Sequence, residues 1–187
     1  MKTFFTADQH YGHEAIIRLG RGRPFASVND MDAFMIDAHN GAVDRRDRVI
    51  HVGDFAHRCD PRRLRAIFGK LNGSHFLVPG NHDDGPATKA LPWAGVMPLV
   101  WNVKVDGVLV VCCHYGLRVW PSQRRGAIHV YGHSHGKLPP NNASLDVGVD
   151  CWDFRPVSLP EIRARLETMP APTGGEIDYI EDDGVAP

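Results

Sequence analysis

Long hydrophobic runs are missing from this 187-residue chain. No stretch approaches the roughly 18 apolar residues of a membrane helix. The opening MKTFFTADQH has a single Lys2 and a very short apolar stretch before it turns polar, so it lacks the apolar centre of a secretory signal. Cysteine is scarce: Cys59, Cys112, Cys113 and Cys151 include an adjacent pair and no CxxC spacing. That argues against a disulfide framework and a cysteine zinc site, and the expected compartment is the cytoplasm. Charge of one sign is not in excess either, since the formal net charge is -1. No bulk field therefore recruits nucleic acid or an acidic membrane, although a local basic groove would still admit nucleic acid. Any phosphate chemistry would have to be done by a site.

Histidine is what the chain has in quantity, with eleven residues. Composition does not separate scattered surface histidines from a shared site; position does. The length fits one domain, read as residues 1–169, with PAPTGGEIDYIEDDGVAP (170–187) read as a flexible acidic tail. The hydrophobic fraction of 43% and charged fraction of 23% are ordinary for a soluble globular protein.

Strands are expected at 2–7, 48–52, 76–78, 100–105, 108–113, 128–131 and 144–149. Asp106 and Gly107, between the fourth and fifth, give a type I′ hairpin signal. Helices are expected from Ser27 to about His39, from Asp60 and Pro61 to Gly69, and from Ser158 to about Thr168, each opened by a capping residue. Alternating strands and helices followed by a hairpin imply a mixed α/β architecture.

Five strand candidates end in polar clusters: Asp8-x-His10, Gly53-Asp54, Gly80-Asn81-His82-Asp83, His114, and Gly132-His133-x-His135. Carboxyl ends of strands line the ligand crevice of open α/β sheets, so these endings can converge. Singly, Asp8, Asp54, Asn81 and His114 also read as turn residues or caps. Jointly, Asp8, His10, Asp54, Asn81, His114, His133 and His135 offer carboxylate, amide and imidazole donors without thiolate, which suits borderline divalent ions. With one bridging carboxylate the set divides into two groups of four. Two divalent cations against Asp8 and Asp54 leave a positive pocket suited to a phosphate ester. Asn81, His82 and Asp83 read as a ligand, an acid and an orienting carboxylate in one turn. His133 and His135, at i and i+2 on an extended chain, would point to one side, with Gly132 and Gly136 permitting close backbone approach.

On these blocks the chain resembles the calcineurin-like metallophosphoesterases. The likeness is greatest to a small bacterial and phage branch, through DQHYGH (8–13), GRPF (22–25), HVGDF (51–55), HYG (114–116) and LDVGVDCWDFRPVSL (145–159). The resemblance implies two packed mixed β-sheets flanked by helices, the four-layer metallo-dependent phosphatase-like fold. It also implies one ion on Asp8, His10, Asp54 and His135, and a second on Asp54, Asn81, His114 and His133. His82 would stand over the substrate phosphate and Asp83 would orient its imidazole. The activity implied is hydrolysis of phosphomono- or phosphodiesters by in-line attack of a metal-bridging hydroxide. Manganese is the first choice of ion, with iron, nickel, zinc or cobalt as alternatives, and the partner is a small phosphoester or nucleotide.

His13 reads either as a phosphate contact or as the opening of a following helix. Arg23 and Arg118 are candidate substrate contacts in arginine-rich loops, where solvated arginines are also common. His51 reads as a strand residue with a backbone partner, and His57, His75 and His129 as surface or structural residues. Other histidine-rich hydrolases fit poorly: no HxHxDH string occurs, and an amidohydrolase barrel needs about 250 residues. A non-catalytic metal-binding scaffold of the same fold is the remaining alternative.

Overall fold

The β-branched and aromatic runs become strands and the capped amphipathic runs become helices. The computed structural model describes residues 1–19 and 22–171, so most of the expected tail, 172–187, lies outside the described residues. In chain order the elements are β1 (Thr3–Thr6), α1 (Val28–Ala42), β2 (Arg48–His51), α2 (Pro61–Phe68), β3 (Ser74–Leu77), α3 (Pro86–Lys89) and β4 (Gly95–Val96). There follow β5 (Val100–Val105), β6 (Val108–Cys113), β7 (Ile128–Tyr131), β8 (Ser144–Asp146), β9 (Val157–Ser158) and α4 (Leu159–Leu166).

The caps act as their residue types suggest. Ser27 Oγ accepts from Asp30 N–H at 3.2 Å, and Asp60 Oδ1 accepts from Arg62 and Arg63 N–H at 3.0 and 2.9 Å. Glu161 reaches back to the Ser158 N–H at 2.9 Å, as a capping box does. Asp106 and Gly107 sit at φ 48° and 83°, the left-handed pair that a type I′ hairpin needs.

The strands form two sheets. One runs β4-β3-β2-β1-β9, parallel except for β9; the other runs β5-β6-β7-β8, parallel except for β5. Phe5 and Ile50 from the first sheet, with Val52 and Val78 just past the ends of β2 and β3, meet Val103, Val110, Val130 and Leu145 from the second in one buried cluster, which Ile162 and Leu166 of α4 join. Burying each such side chain contributes about 1.5–3 kcal/mol. On the outer side of the first sheet, α1 and α2 supply Met31, Met35, Leu64 and Phe68 to a second cluster. Trp120 and Ala127 pack with Val111 on the second sheet, and Trp152 is also a core residue. Two packed mixed sheets flanked by helices is the architecture expected.

Differences lie at the edges. The two-residue strands β4 and β9 and the short α3 have too few residues for a period to register. β8 stops at Asp146 instead of running to Val149, because the Asp146 carboxylate captures the Gly148 N–H at 2.7 Å and turns the chain. No helix among the described residues is long and apolar enough to cross a membrane. Parallel pairing aligns the carboxyl ends of β1, β2 and β3, and likewise of β6, β7 and β8; a bridge between Ala7 and Gly148 joins the two sets.

Candidate metal centre

Each motif follows a strand at this joined end: Asp8 and His10 after β1, Asp54 after β2, Asn81 to Asp83 after β3, His114 after β6, and His133 and His135 after β7. Their backbones turn sharply. Asp8, His10, Asp54, His133 and His135 all lie at positive φ, between 48° and 64°. Each left-handed non-glycine residue costs about 1–2 kcal/mol. The extended course expected for His133-x-His135 is therefore wrong, and the two rings reach the site from left-handed turns.

Buried carboxylates hold these turns. Asp83 accepts N–H bonds from Asp54 (2.7 Å), Phe55 (3.0 Å) and Gly80 (2.8 Å). Asp146 Oδ2 accepts from Ser134 Oγ (2.6 Å) and Gly136 N–H (3.0 Å). Asp8 Oδ1 accepts the His133 N–H at 3.0 Å, and Asp54 Oδ1 the His82 N–H at 2.9 Å. Close approach requires glycine around the site: a methyl on Gly53 would strike the His114 imidazole, and one on Gly132 would strike Ala7 and the Asp8 carboxylate.

The donors fall into overlapping groups whose ligand atoms lie within 4.8 Å of one another: Asp8, His10 and His135; Asp54, His114 and His133; and His10, Asp54 and His82. Asp54 Oδ2 stands between the first two, 3.7 Å from His10 Nε2 and 3.3 Å from His114 Nε2. Asn81 Oδ1 is 3.1 Å from His114 Nε2, and His114 Nδ1 meets the Val52 carbonyl at 2.9 Å. The set fits divalent cations on a direct test: Asp8 Oδ2 and both ring nitrogens of His10 are buried with no hydrogen-bond partner among the described residues. Such orphans carry a desolvation cost that a bound cation would relieve.

Electrostatics agree. Burial pushes the Asp8 carboxyl up to about 7, against the opposing pull of His135 and His114. Burial pushes the His10 imidazole down to about 2, although Asp54 draws it the other way. At Asp54 burial also opposes ionisation, but the hydrogen bond and charge of His114, with the His82 N–H, outweigh it and hold the group at about 2. His114 answers in kind: burial disfavours its charged form, and Asp54 still lifts it to about 8. In the metal-free chain these opposite shifts favour a protonated His114 beside an ionised Asp54.

Not every expected residue has its expected role. His82 is partly exposed, with Nε2 4.0 Å from Asp54 Oδ2, facing the site. Asp83 does not orient the His82 imidazole; its oxygens are committed to three backbone N–H groups, so it shapes the Asp54 turn. His13 packs on His10 and His57, with ring centroids 5.4 and 4.6 Å away. It also opens a 3₁₀ turn at Glu14–Ile17 without a side-chain cap. Arg23 is buried, and its guanidinium is bound to Asp150 and to the carbonyls of Asp8 and Gln9, which removes it from the substrate contacts. Arg118 is exposed in the loop after His114.

His51 bonds to Gln9 (3.1 Å) and His75 (3.0 Å) rather than to backbone. His75 and His129 are structural, as expected, whereas the His57 ring packs at a tilt against His82, with centroids 4.1 Å apart, beside the site. Asp150 is a further site residue, with Oδ2 2.7 Å from His135 Nδ1. The strand-then-polar-cluster signal applies to it as well, since it follows β8 within DVGVD.

The model of the calcineurin-like phosphoesterase family matches residues 1–162. An uncharacterized protein of Methanocaldococcus jannaschii is 24% identical over 182 residues, covering 89% of this chain and 92% of that protein. The solved structure of a protein of unknown function from Aquifex aeolicus superposes with a TM-score of 0.69 at 19% identity, covering 88% of this chain and 98% of that one. The last likeness extends to nearly the whole fold.

Proposed function

The chain belongs to the calcineurin-like phosphoesterase family, and from that premise we propose that it hydrolyses phosphomonoesters, phosphodiesters or both, with two divalent cations, manganese first among them. The observation that carries this reading is the shared carboxylate: Asp54 Oδ2 lies within 3.7 Å of His10 Nε2 and 3.3 Å of His114 Nε2, between two donor groups. Asp8, His10, Asp54 and His135 would hold one ion, and Asp54, Asn81, His114 and His133 the other. When bound, the ions supply positive charge to phosphate oxygens and lower the pKa of water for in-line displacement.

The protein's own groups do the rest. Asp83 and Asp146 keep the ligand turns rigid, so little reorganisation accompanies substrate arrival. His82, on a turn tied to Asp54 by its own N–H, presents an imidazole to the substrate phosphate and can donate a proton to the departing alkoxide. A small phosphoester or nucleotide is the substrate class this site suits.

The test uses p-nitrophenyl phosphate and bis(p-nitrophenyl) phosphate with added manganese. Turnover is expected, with loss on chelation and a fall of roughly 10²–10⁴-fold in His82→Ala. No turnover of either ester with manganese, nickel, cobalt, zinc or iron would sink the proposal.

A further inference from the structure

Arg23 and Asp150 are 127 residues apart, yet they join two parts of one donor group. The Asp150 carboxylate receives a bidentate pair from Arg23, Nε to Oδ1 at 2.9 Å and Nη2 to Oδ2 at 2.8 Å. The same guanidinium donates to the Asp8 carbonyl at 2.6 Å and the Gln9 carbonyl at 2.9 Å. Asp150 Oδ2 also meets His135 Nδ1 at 2.7 Å. A continuous polar path thus runs from the left-handed Asp8 turn through Arg23 and Asp150 to the His135 ring. Both of its ends supply donors to the Asp8, His10 and His135 group. His114, in the other group, is instead oriented by the Val52 carbonyl.

We propose that Arg23 and Asp150 are a positioning pair for one ion position: Asp150 accepts a hydrogen bond from His135 Nδ1–H, which keeps the proton on Nδ1 and leaves Nε2 as the ligand nitrogen, while Arg23 fixes Asp150 and the Asp8 turn together. A carboxylate behind a ligating imidazole fixes its tautomer and raises its basicity, whereas a carbonyl brings no charge. The two ion positions are consequently unequal, and the Asp8 position depends on a residue outside the ligand set. Arginine suits this place because only its planar fork can hold a carboxylate and two carbonyls at once.

This inference rests on the two-ion reading, and the experiment separates the two. Chelator-treated full-length protein is titrated calorimetrically with Mn²⁺ alone, as wild type, Asp150→Asn and Arg23→Lys. In Asp150→Asn one of two Mn²⁺ equivalents should weaken by about 10–100-fold and the other stay at its wild-type affinity. Arg23→Lys should show the same selectivity to a smaller degree. Unchanged affinities for both equivalents, or equal weakening of both alongside a lower melting temperature of the metal-free protein, would overturn the pair as a selective positioning device.

Long-range ¹H–¹⁵N spectra of metal-free wild type read the pair independently, even if Asp150→Asn does not fold. A His135 Nδ1–H tautomer supports the proposal, and an Nε2–H tautomer refutes it. Wild-type protein taking up fewer than two ions would defeat the two-ion reading, while the tautomer would still decide the role of Asp150.

Discussion

At His133 the backbone stands at φ 64°, where any β-carbon is strained. The side chain is exposed, so removing it leaves no cavity to confuse the comparison. His133→Gly should therefore be more stable than His133→Ala by about 1 kcal/mol in metal-free protein, because glycine alone adopts this conformation without steric cost. Urea unfolding in the presence of chelator measures the difference, and an alanine variant at least as stable as the glycine one would contradict it. The convergence of the candidate donors was readable because each follows a strand and has metal-binding chemistry. Their left-handed turns were not, since that conformation comes from Asp83, Asp146 and the packing around them. Arg23 shows why an arginine's role is hard to read: its partner lies 127 residues away, and a buried fork and a solvated one look the same in a sequence.

Elements were legible wherever a local signal set both ends. Asp60 and Pro61 open α2 as their types suggest, and Gly69 ends it at an ordinary φ of −66° rather than in the left-handed conformation that favours glycine. Asp60→Ala should lower stability by about 1 kcal/mol, since the Arg62 and Arg63 N–H groups lose their acceptor. Asp60→Asn should restore most of that, and thermal melts of the three proteins check the order; an alanine variant melting with wild type would remove the cap from the account. By contrast β4 and β9 exist only because β3 and β1 offer them an edge, a tertiary cause that a two-residue stretch does not announce. The course of β8 was similarly decided by one carboxylate, not by the apolar pattern that continues to Val149.

Across the whole molecule, buried histidines make stability depend on pH. His51 and His75 are joined at 3.0 Å, and His39 packs beside His75. Burial, then the neighbouring charge of His39, pushes His75 down to about 4, and burial drives His51 well below its ordinary value. The unfolded chain therefore binds more protons below pH 6.5, so this contribution is complete above that value and is lost as pH falls towards 4. The destabilisation caused by His75→Gln should accordingly shrink by up to about 2 kcal/mol between pH 7.5 and pH 5. Urea unfolding of both proteins at the two pH values tests this, and a pH-independent gap would refute it.

The closure of β1 by β9, with Ala7 bridged to Gly148, also sets an order of events during synthesis. Asp8 and His10 leave the ribosome before His135 and Asp150, which follow roughly 6 to 30 s later at about 5–20 residues per second. An early strand can pair with β2 in that interval, but the complete donor set exists only once the far end of the chain has folded back. Any ion held by this donor set would thus be taken up by a finished protein, not captured by a nascent one.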